Sequence, residues 1–216
     1  MAFDQATTVF EKSWLWSNPK HPAKELQIEN DGSSIRMLTS PNSDFWRRTH
    51  YDFIRDDGNF LRVDNPTLNI ASNLILQVSF KGKYEKLYDQ AGTMLRSGEG
   101  TWIKTGIEYV DQVKFASAVV TREFSDWSTN PLSSLDNNDW FTIRVELLKG
   151  DVKVEYALGE NPSNFHLLRI AHLFDTMDEN AENGLQVGLF AASPQNNDGF
   201  EAVFKSFSLT ILNDKE

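Results

Sequence analysis

Apolar and polar residues alternate along much of this chain with a period of two. Between Trp140 and Lys149, Phe141, Ile143, Val145 and Leu147 fall on one face and Thr142, Arg144 and Glu146 on the other, as in a strand with one buried face. Val152–Leu158 follows after Gly150-Asp151, a two-residue turn of the Gly-x type. A turn at those residues sets Leu147 opposite Val154, Val145 opposite Tyr156 and Glu146 opposite Glu155. Arg144 and Lys153 are then close enough to offset the like charges.

The pattern predicts further strands over Lys12–Trp16, Glu25–Glu29, Ser34–Thr39, Phe60–Val63, Asn73–Lys81, Tyr88–Arg96, Thr101–Tyr109, Lys114–Arg122, Phe165–Ala171, Leu185–Ala192 and Ala202–Leu212. Turn-forming groups separate them, among them Asp56-Asp57-Gly58, Ser97-Gly98-Glu99-Gly100 and Asn196-Asn197-Asp198-Gly199. No amphipathic helix stands out; Asp175–Asn183 reads as one helical turn or an acidic loop. Many short strands at close spacing predict an all-β fold, a two-sheet antiparallel sandwich, as a single domain over residues 1–216. The expected frayed ends are Met1–Ala6 and Asn213–Glu216.

Composition narrows the chemistry. The 216 residues are enough to bury a core without staples. Cysteine is absent, which removes disulfides, thiolate metal sites and Cys nucleophiles. A net charge of −10 argues against nucleic acid as the main partner. No stretch is long and apolar enough to span a membrane. Met1–Phe10 lacks the pattern of a signal peptide, and the two near-sequons, Asn65-Pro66-Thr67 and Asn161-Pro162-Ser163, are blocked by proline. Together these features predict a cytoplasmic protein.

Four clusters place aromatics beside charge: Ser43–Arg47, Tyr88–Gly92, Trp102–Glu108 and Ser125–Ser128. On a strand over Thr101–Tyr109, Ile103, Thr105, Ile107 and Tyr109 face the core. Trp102, Lys104, Gly106 and Glu108 face the other way: an aromatic platform, a cation, a bare backbone position and a carboxylate in a row. That row suits a polyhydroxylated ligand, with the ring against C–H surface and the charged groups against hydroxyls. It equally suits an outer face with a Lys–Glu pair and a Trp covering the sheet edge. Asp89 inside a strand calls for a cation or hydrogen-bond donors, with Lys104 or Arg169 as candidate cations. Asp44 and Asp126 read equally well as turn caps.

Catalytic signals are missing. A glucanase-type sandwich carries acids at i, i+2 and i+4 on one strand, which holds two carboxyls about 5 Å apart. No such triplet occurs; Glu108 with Asp89 or Asp126, from separate strands, is the remaining combination. There is no serine elbow, dinucleotide fingerprint or P-loop. His21, His50, His166 and His172 form no ligand spacing, and His50 with Asp52 on one strand face reads as structural. No catalytic residue, metal or cofactor is predicted.

The clusters, in order with Val119-Val120-Thr121, Arg169, Val187-Gly188 and Ala192-Ser193-Pro194, resemble the regulation-of-enolase protein family. This is a domain of unknown function, with bacterial relatives described beside sugar-degrading enzymes. Its fold is similar to the concanavalin A-like lectin/glucanase superfamily, which implies a jelly-roll sandwich with a concave face. The resemblance runs from Trp14 to about Leu212 and brings no catalytic residues with it. The expectation is a non-catalytic cytosolic domain whose cleft binds a saccharide, a sugar phosphate or a related metabolite. Trp46, Asp89, Gln90, Trp102, Lys104, Glu108, Asp126, Trp127 and Arg169 are the candidate binding residues. A regulator that binds enolase directly is the alternative, and a glycoside-active enzyme with carboxylates from separate strands is the third.

Overall fold

The computed structural model describes residues 13–29, 33–176 and 184–213, and the backbone of Asp4–Val9. Seventeen strands follow in chain order: β1 Asp4–Val9, β2 Trp14–Trp16, β3 Glu25–Ile28, β4 Ser34–Leu38, β5 Phe45–Arg47, β6 Ile54–Asp56, β7 Asn59–Val63, β8 Asn73–Gly82, β9 Gln90–Arg96, β10 Thr101–Val110, β11 Val113–Arg122, β12 Phe124–Pro131, β13 Phe141–Leu148, β14 Asp151–Leu158, β15 His166–His172, β16 Gln186–Ala192 and β17 Glu201–Asn213. No described residue is helical. The first sheet runs β15-β14-β13-β8-β17-β4-β3, with β1 also on β17, and the second runs β12-β11-β10-β9-β16-β7-β2. β5 and β6 form a separate hairpin.

The two large sheets are antiparallel throughout and enclose one apolar core, in which Leu74, Leu76, Val78 and Phe80 of β8 share a cluster with Ala91, Leu95, Ile103 and Ile107 of β9 and β10. Phe80 meets Phe141 edge-on at 5.6 Å. The all-β sandwich expected from alternation is the fold observed. β17 is long enough to hold two partners on one edge. A register shift between Lys205 and Ser208 divides it, with β4 paired before the shift and β1 after. Ser206 takes a left-handed φ of 52° there, as a bulge residue does.

Several expectations change. Asp4–Val9 pairs with β17 and Asn213 ends that strand, so neither Asp4–Ala6 nor Asn213 is frayed. Strand β9 starts at Gln90, because Tyr88 has a φ of 67° and Asp89 closes a turn onto Lys86 O. His50 and Asp52 lie in a loop, both with positive φ, and share no strand face. Lys12, and residues 177–183 of the expected helical turn or acidic loop over Asp175–Asn183, lie outside the described residues.

The β13–β14 hairpin differs by two residues from the expected register. Leu147 opposes Val152, Val145 opposes Val154 and Ile143 opposes Tyr156. The turn is Lys149-Gly150, with φ of 52° and 85°, the double left-handed pair that suits the twist of a two-residue hairpin. A shift of two keeps every side chain on its face, so the apolar stripe is unchanged while the polar pairs are replaced. Glu146 now opposes Lys153 and Arg144 opposes Glu155, with the Arg144–Glu155 ion pair at 2.6 Å. No Glu–Glu pair is left to offset.

A Cβ on Gly150 would stand 2.0 Å from Phe174 O, in addition to the cost of its positive φ. Gly150→Ala is therefore expected to destabilise the fold by about 1–3 kcal/mol. The readout is a lower urea midpoint at an unchanged slope. An unmoved midpoint would show that Lys149-Gly150 is not the turn.

Candidate functional site

The outer face of the second sheet is not bare. The β5–β6 hairpin lies on it and seals a second apolar cluster of Phe45, Phe60, Met94, Trp102, Val119 and Phe190. Phe45 is 2 % exposed and meets Trp102 and Phe190 edge-on at 6.3 and 6.4 Å. The hairpin is also held by polar contacts. Asp56 takes a two-point ion pair from Arg96 at 2.5 and 2.6 Å, and Arg47 N donates to Ser125 Oγ at 2.9 Å. Asp57 Oδ1 accepts from Asp44 N at 3.0 Å, and Arg55 grips Asp57.

Beside the hairpin is a cavity of about 370 Å³, with walls that include Trp46, Tyr51, Phe53, Tyr88 and Trp127. Asp44, Lys104, Glu108 and Arg55 supply charge to it, and Pro194 and Gln195 complete it. The rings are set edge to face. Trp46 meets Trp127 at 6.4 Å and Tyr51 at 6.0 Å, and Tyr88 meets Trp127 at 6.4 Å. Trp46 Nε1 donates to Thr49 O at 2.9 Å. The loop that carries Tyr51 is unusual, for Arg48, His50 and Asp52 all have left-handed φ, a strain that clusters at functional sites.

Lys104 is 3 % exposed and its ammonium is matched. Nζ donates to Gln90 Oε1 at 2.5 Å and is 3.6 Å from Asp44 Oδ1. Gln90 Nε2 in turn donates to Asp44 Oδ1 at 3.1 Å, which closes a three-membered network. Glu108, four residues along the same strand face, is 7 % exposed. Ser117 Oγ donates to its Oε2 at 2.9 Å and accepts from Trp127 Nε1 at 2.9 Å, so one hydroxyl orients both a wall and an acid. Burial pushes the Glu108 carboxyl up; Lys104 opposes that shift and Asp44 adds to it. Burial, a hydrogen bond with Tyr51 and the neighbouring Glu108 and Asp111 carboxylates push the Tyr88 hydroxyl up to about 12, so it stays neutral. The charged positions of this cavity are thus mixed and, with Glu108 ionised, balanced: Asp44 and Glu108 against Lys104 and Arg55. Lys104 sits where a cation would have to approach Asp44. Among the described residues no three His, Asp or Glu side chains gather as metal ligands.

Two glycines lie on the strands that carry Gln90, Lys104 and Glu108. Gly92 and Gly106 lie opposite each other on β9 and β10, and a Cβ on either would stand 2.0 Å from the neighbouring strand's backbone, at Thr105 O or Ala91 O. Gly106 therefore serves strand packing, whatever a ligand does above it.

Of the nine candidate residues, Trp46, Lys104, Glu108 and Trp127 line the cavity, and Gln90 supports Lys104 from below. The other four go elsewhere. Trp102 is on the expected face but is 1 % exposed beneath Phe45, with Nε1 donating to Glu99 O, so it is packing and not a platform. Asp89 is fully buried and accepts from the backbone N–H of Glu85 and Lys86 and from Ser193 Oγ, so it caps a loop and meets neither Lys104 nor Arg169. Asp126 and Arg169 pair at 2.7 Å across the edges of the two sheets, away from the cavity. Asp44, Tyr51, Phe53, Arg55 and Tyr88 were not among the candidates. The signal for Tyr51 and Phe53 is a run with no period, Thr49–Phe53, in a region rich in aromatics.

The family model described as Protein of unknown function (DUF1349) matches residues 16–211. The chain is 33 % identical over 210 residues to "Regulation of enolase protein 1" of Saccharomyces cerevisiae, covering 97 % of this chain and 94 % of that one. The crystal structure of a functionally unknown protein from Saccharomyces cerevisiae superposes with a TM-score of 0.77 at 32 % identity, over 94 % of this chain and 97 % of that chain. Winged bean acidic lectin, solved in complex with methyl-α-D-galactose, superposes with a TM-score of 0.60 at 13 % identity, over 95 % of each chain. That likeness is one of fold: a lectin-type sandwich.

The raised Glu108 carboxyl has a consequence for stability. The folded state favours its protonated form, so the stability this gives is present below the ordinary value of 4.5 and is lost as pH rises through the folded value. Glu108→Gln, which cannot ionise, is expected to gain stability relative to the parent as pH rises above 4.5, and then to level off. Urea unfolding of both proteins across pH measures it. A difference that stays constant with pH would mean that the carboxyl is not desolvated.

Proposed function

The chain belongs to the family described as Protein of unknown function (DUF1349), and from that membership and the geometry of the cleft we propose that it is a non-catalytic binding domain for a small carbohydrate or a related polyhydroxylated metabolite, acting in the cytosol as a regulator of carbohydrate metabolism. One observation carries the reading. Aromatic walls from Trp46, Tyr51 and Trp127 stand over Lys104 and Glu108, both fixed by partners of their own. Rings of this kind pack against the C–H faces of a sugar, and the held donors and acceptors meet its hydroxyls without first having to be ordered. The volume, about 370 Å³, falls at the small end of the roughly 300–1,000 Å³ of small-molecule sites.

Charge balance selects among ligands. A phosphate would face Asp44 and Glu108, while Lys104 is already shared with Asp44 and Gln90 and Arg55 is paired with Asp57. An uncharged sugar meets no such repulsion, so it is preferred over a sugar phosphate. Hydrolysis is not favoured, because the carboxylates that would have to join Glu108 are engaged elsewhere: Asp89 by loop amides and Ser193, and Asp126 by Arg169. The regulatory part rests on the name of the yeast relative.

A second reading, direct binding to enolase, draws on the rim of the same cleft. Tyr51, Phe53, Ile54 and Phe124 are about half exposed, and the Arg48 guanidinium lies 5.7 Å over the Phe124 ring. Aromatics with arginine are the residue types that anchor protein interfaces. The two readings are compatible, since Tyr51 and Phe53 belong both to the cavity wall and to this exposed surface.

Titration calorimetry against neutral mono- and disaccharides and their phosphates tests the first reading. At least one neutral sugar should bind, and Trp127→Ala should weaken it by about tenfold or more, or about 1.4 kcal/mol. Heat from none of the panel, or unchanged binding in a folded Trp127→Ala, would remove it.

A further inference from the structure

The hairpin on the outer face does more than cover apolar surface. Of its three cross-strand pairs, Phe45–Asp56, Trp46–Arg55 and Arg47–Ile54, the first two each border a cavity. Successive residues of a strand point to opposite sides, so the two pairs face opposite ways. Trp46 and Arg55 line the aromatic cavity described above. Phe45 and Asp56 line a second cavity of about 350 Å³, together with Arg96, Glu99 and Gln186. The ribbon therefore stands as a wall with one hollow on each side of it.

The wall crosses the middle of the sheet. Phe45 is packed with Met94 of β9, Trp102 of β10, Val119 of β11 and Phe190 of β16. Lys104 and Glu108 lie on the same face of β10, beyond Trp102 along the strand. Four fixtures hold the wall in place: the buried Phe45 ring, the Arg96–Asp56 ion pair, the Arg47 N bond to Ser125 and the bridge between Ser43 and Ser193. Gly58 adds a fifth, since a Cβ there would stand 2.2 Å from the Phe45 ring. Moving the wall aside would expose the second apolar cluster to water.

We propose that the cleft takes a free mono- or disaccharide, or the terminal one or two units of a chain, and does not admit a saccharide running across the sheet. This rests on the carbohydrate reading of the same cavity. It assigns the ligand by size and by its end. A chain laid along the outer face of the second sheet meets the Trp46–Arg55 side of the ribbon, and the second hollow lies on the opposite, Phe45–Asp56 side.

The test is a length series measured by calorimetry: the methyl glycosides of glucose, galactose and xylose, linear oligomers of each up to six units, and a cyclic glucose hexamer, which has no ends. For the sugar that binds, the Kd should stay within about threefold from dimer to hexamer, and the cyclic hexamer should give no heat. Tightening by about tenfold or more between dimer and hexamer, or binding of the cyclic hexamer, would overturn the inference and leave the carbohydrate reading intact. No heat from any member would remove both. Phe45→Ala undercuts the wall: where it folds, the hexamer should gain over the dimer, and an unchanged limit would overturn the hairpin's part in setting it. Where it fails to fold, the parent series alone decides.

Discussion

Met94, Trp102, Val119 and Phe190 face outward from the second sheet, and an apolar face of that size in water is costly. The β5–β6 hairpin removes the cost by laying Phe45 on all four. Everything distinctive about the site follows from that cover. Trp46 and Arg55 become a cavity wall, Asp44 is brought over Lys104, and the strand that would otherwise carry an exposed polar stripe is buried on both sides.

Burial then sets the electrostatics. An ammonium drawn out of water needs partners close by, and Lys104 has Gln90 and Asp44, both in contact with each other. Glu108 is taken out of water on the same face but has a weaker set of partners, a single hydroxyl and a more distant cation, so its carboxyl is raised. Two ionisable groups on one strand therefore meet different conditions. Lys104 is held by its own network of two partners, whereas Glu108 is held by one hydroxyl.

Local pattern made most of the sandwich legible. The alternation over Phe141–Leu147 placed β13 and its buried face, and the same rule found β8, β10, β11 and β16. It failed where information was not local. β5 and β6 are three residues each, too short for a period, and β12 reads Phe-Ser-Asp-Trp-Ser-Thr-Asn-Pro, too polar to stand out. The β13–β14 register went wrong because two adjacent turn choices preserve the same apolar faces. In the site, Lys104, Glu108, Trp46 and Trp127 were legible as aromatics beside charge. Trp102 was on the right face, but only the hairpin, distant in sequence, decides that it is covered. Asp89 needed donors, as its place in the pattern suggested, yet backbone amides supply them just as well as a cation.

The Gly92–Gly106 pair fixes what this scaffold is free to alter. Neither position tolerates a side chain, since the atoms in the way are backbone of the adjoining strand. These two positions of the second sheet are thus closed to variation, and variety at the cavity has to come through the residues of the hairpin and of the Thr49–Phe53 loop. Tyr51 and Phe53 sit on a segment whose backbone is already irregular, where an exchanged ring disturbs no ladder of hydrogen bonds. Substitutions there can reshape the cavity wall while the sandwich beneath stays the same, so proteins sharing this frame can differ in the shape of this hollow without differing in how they fold.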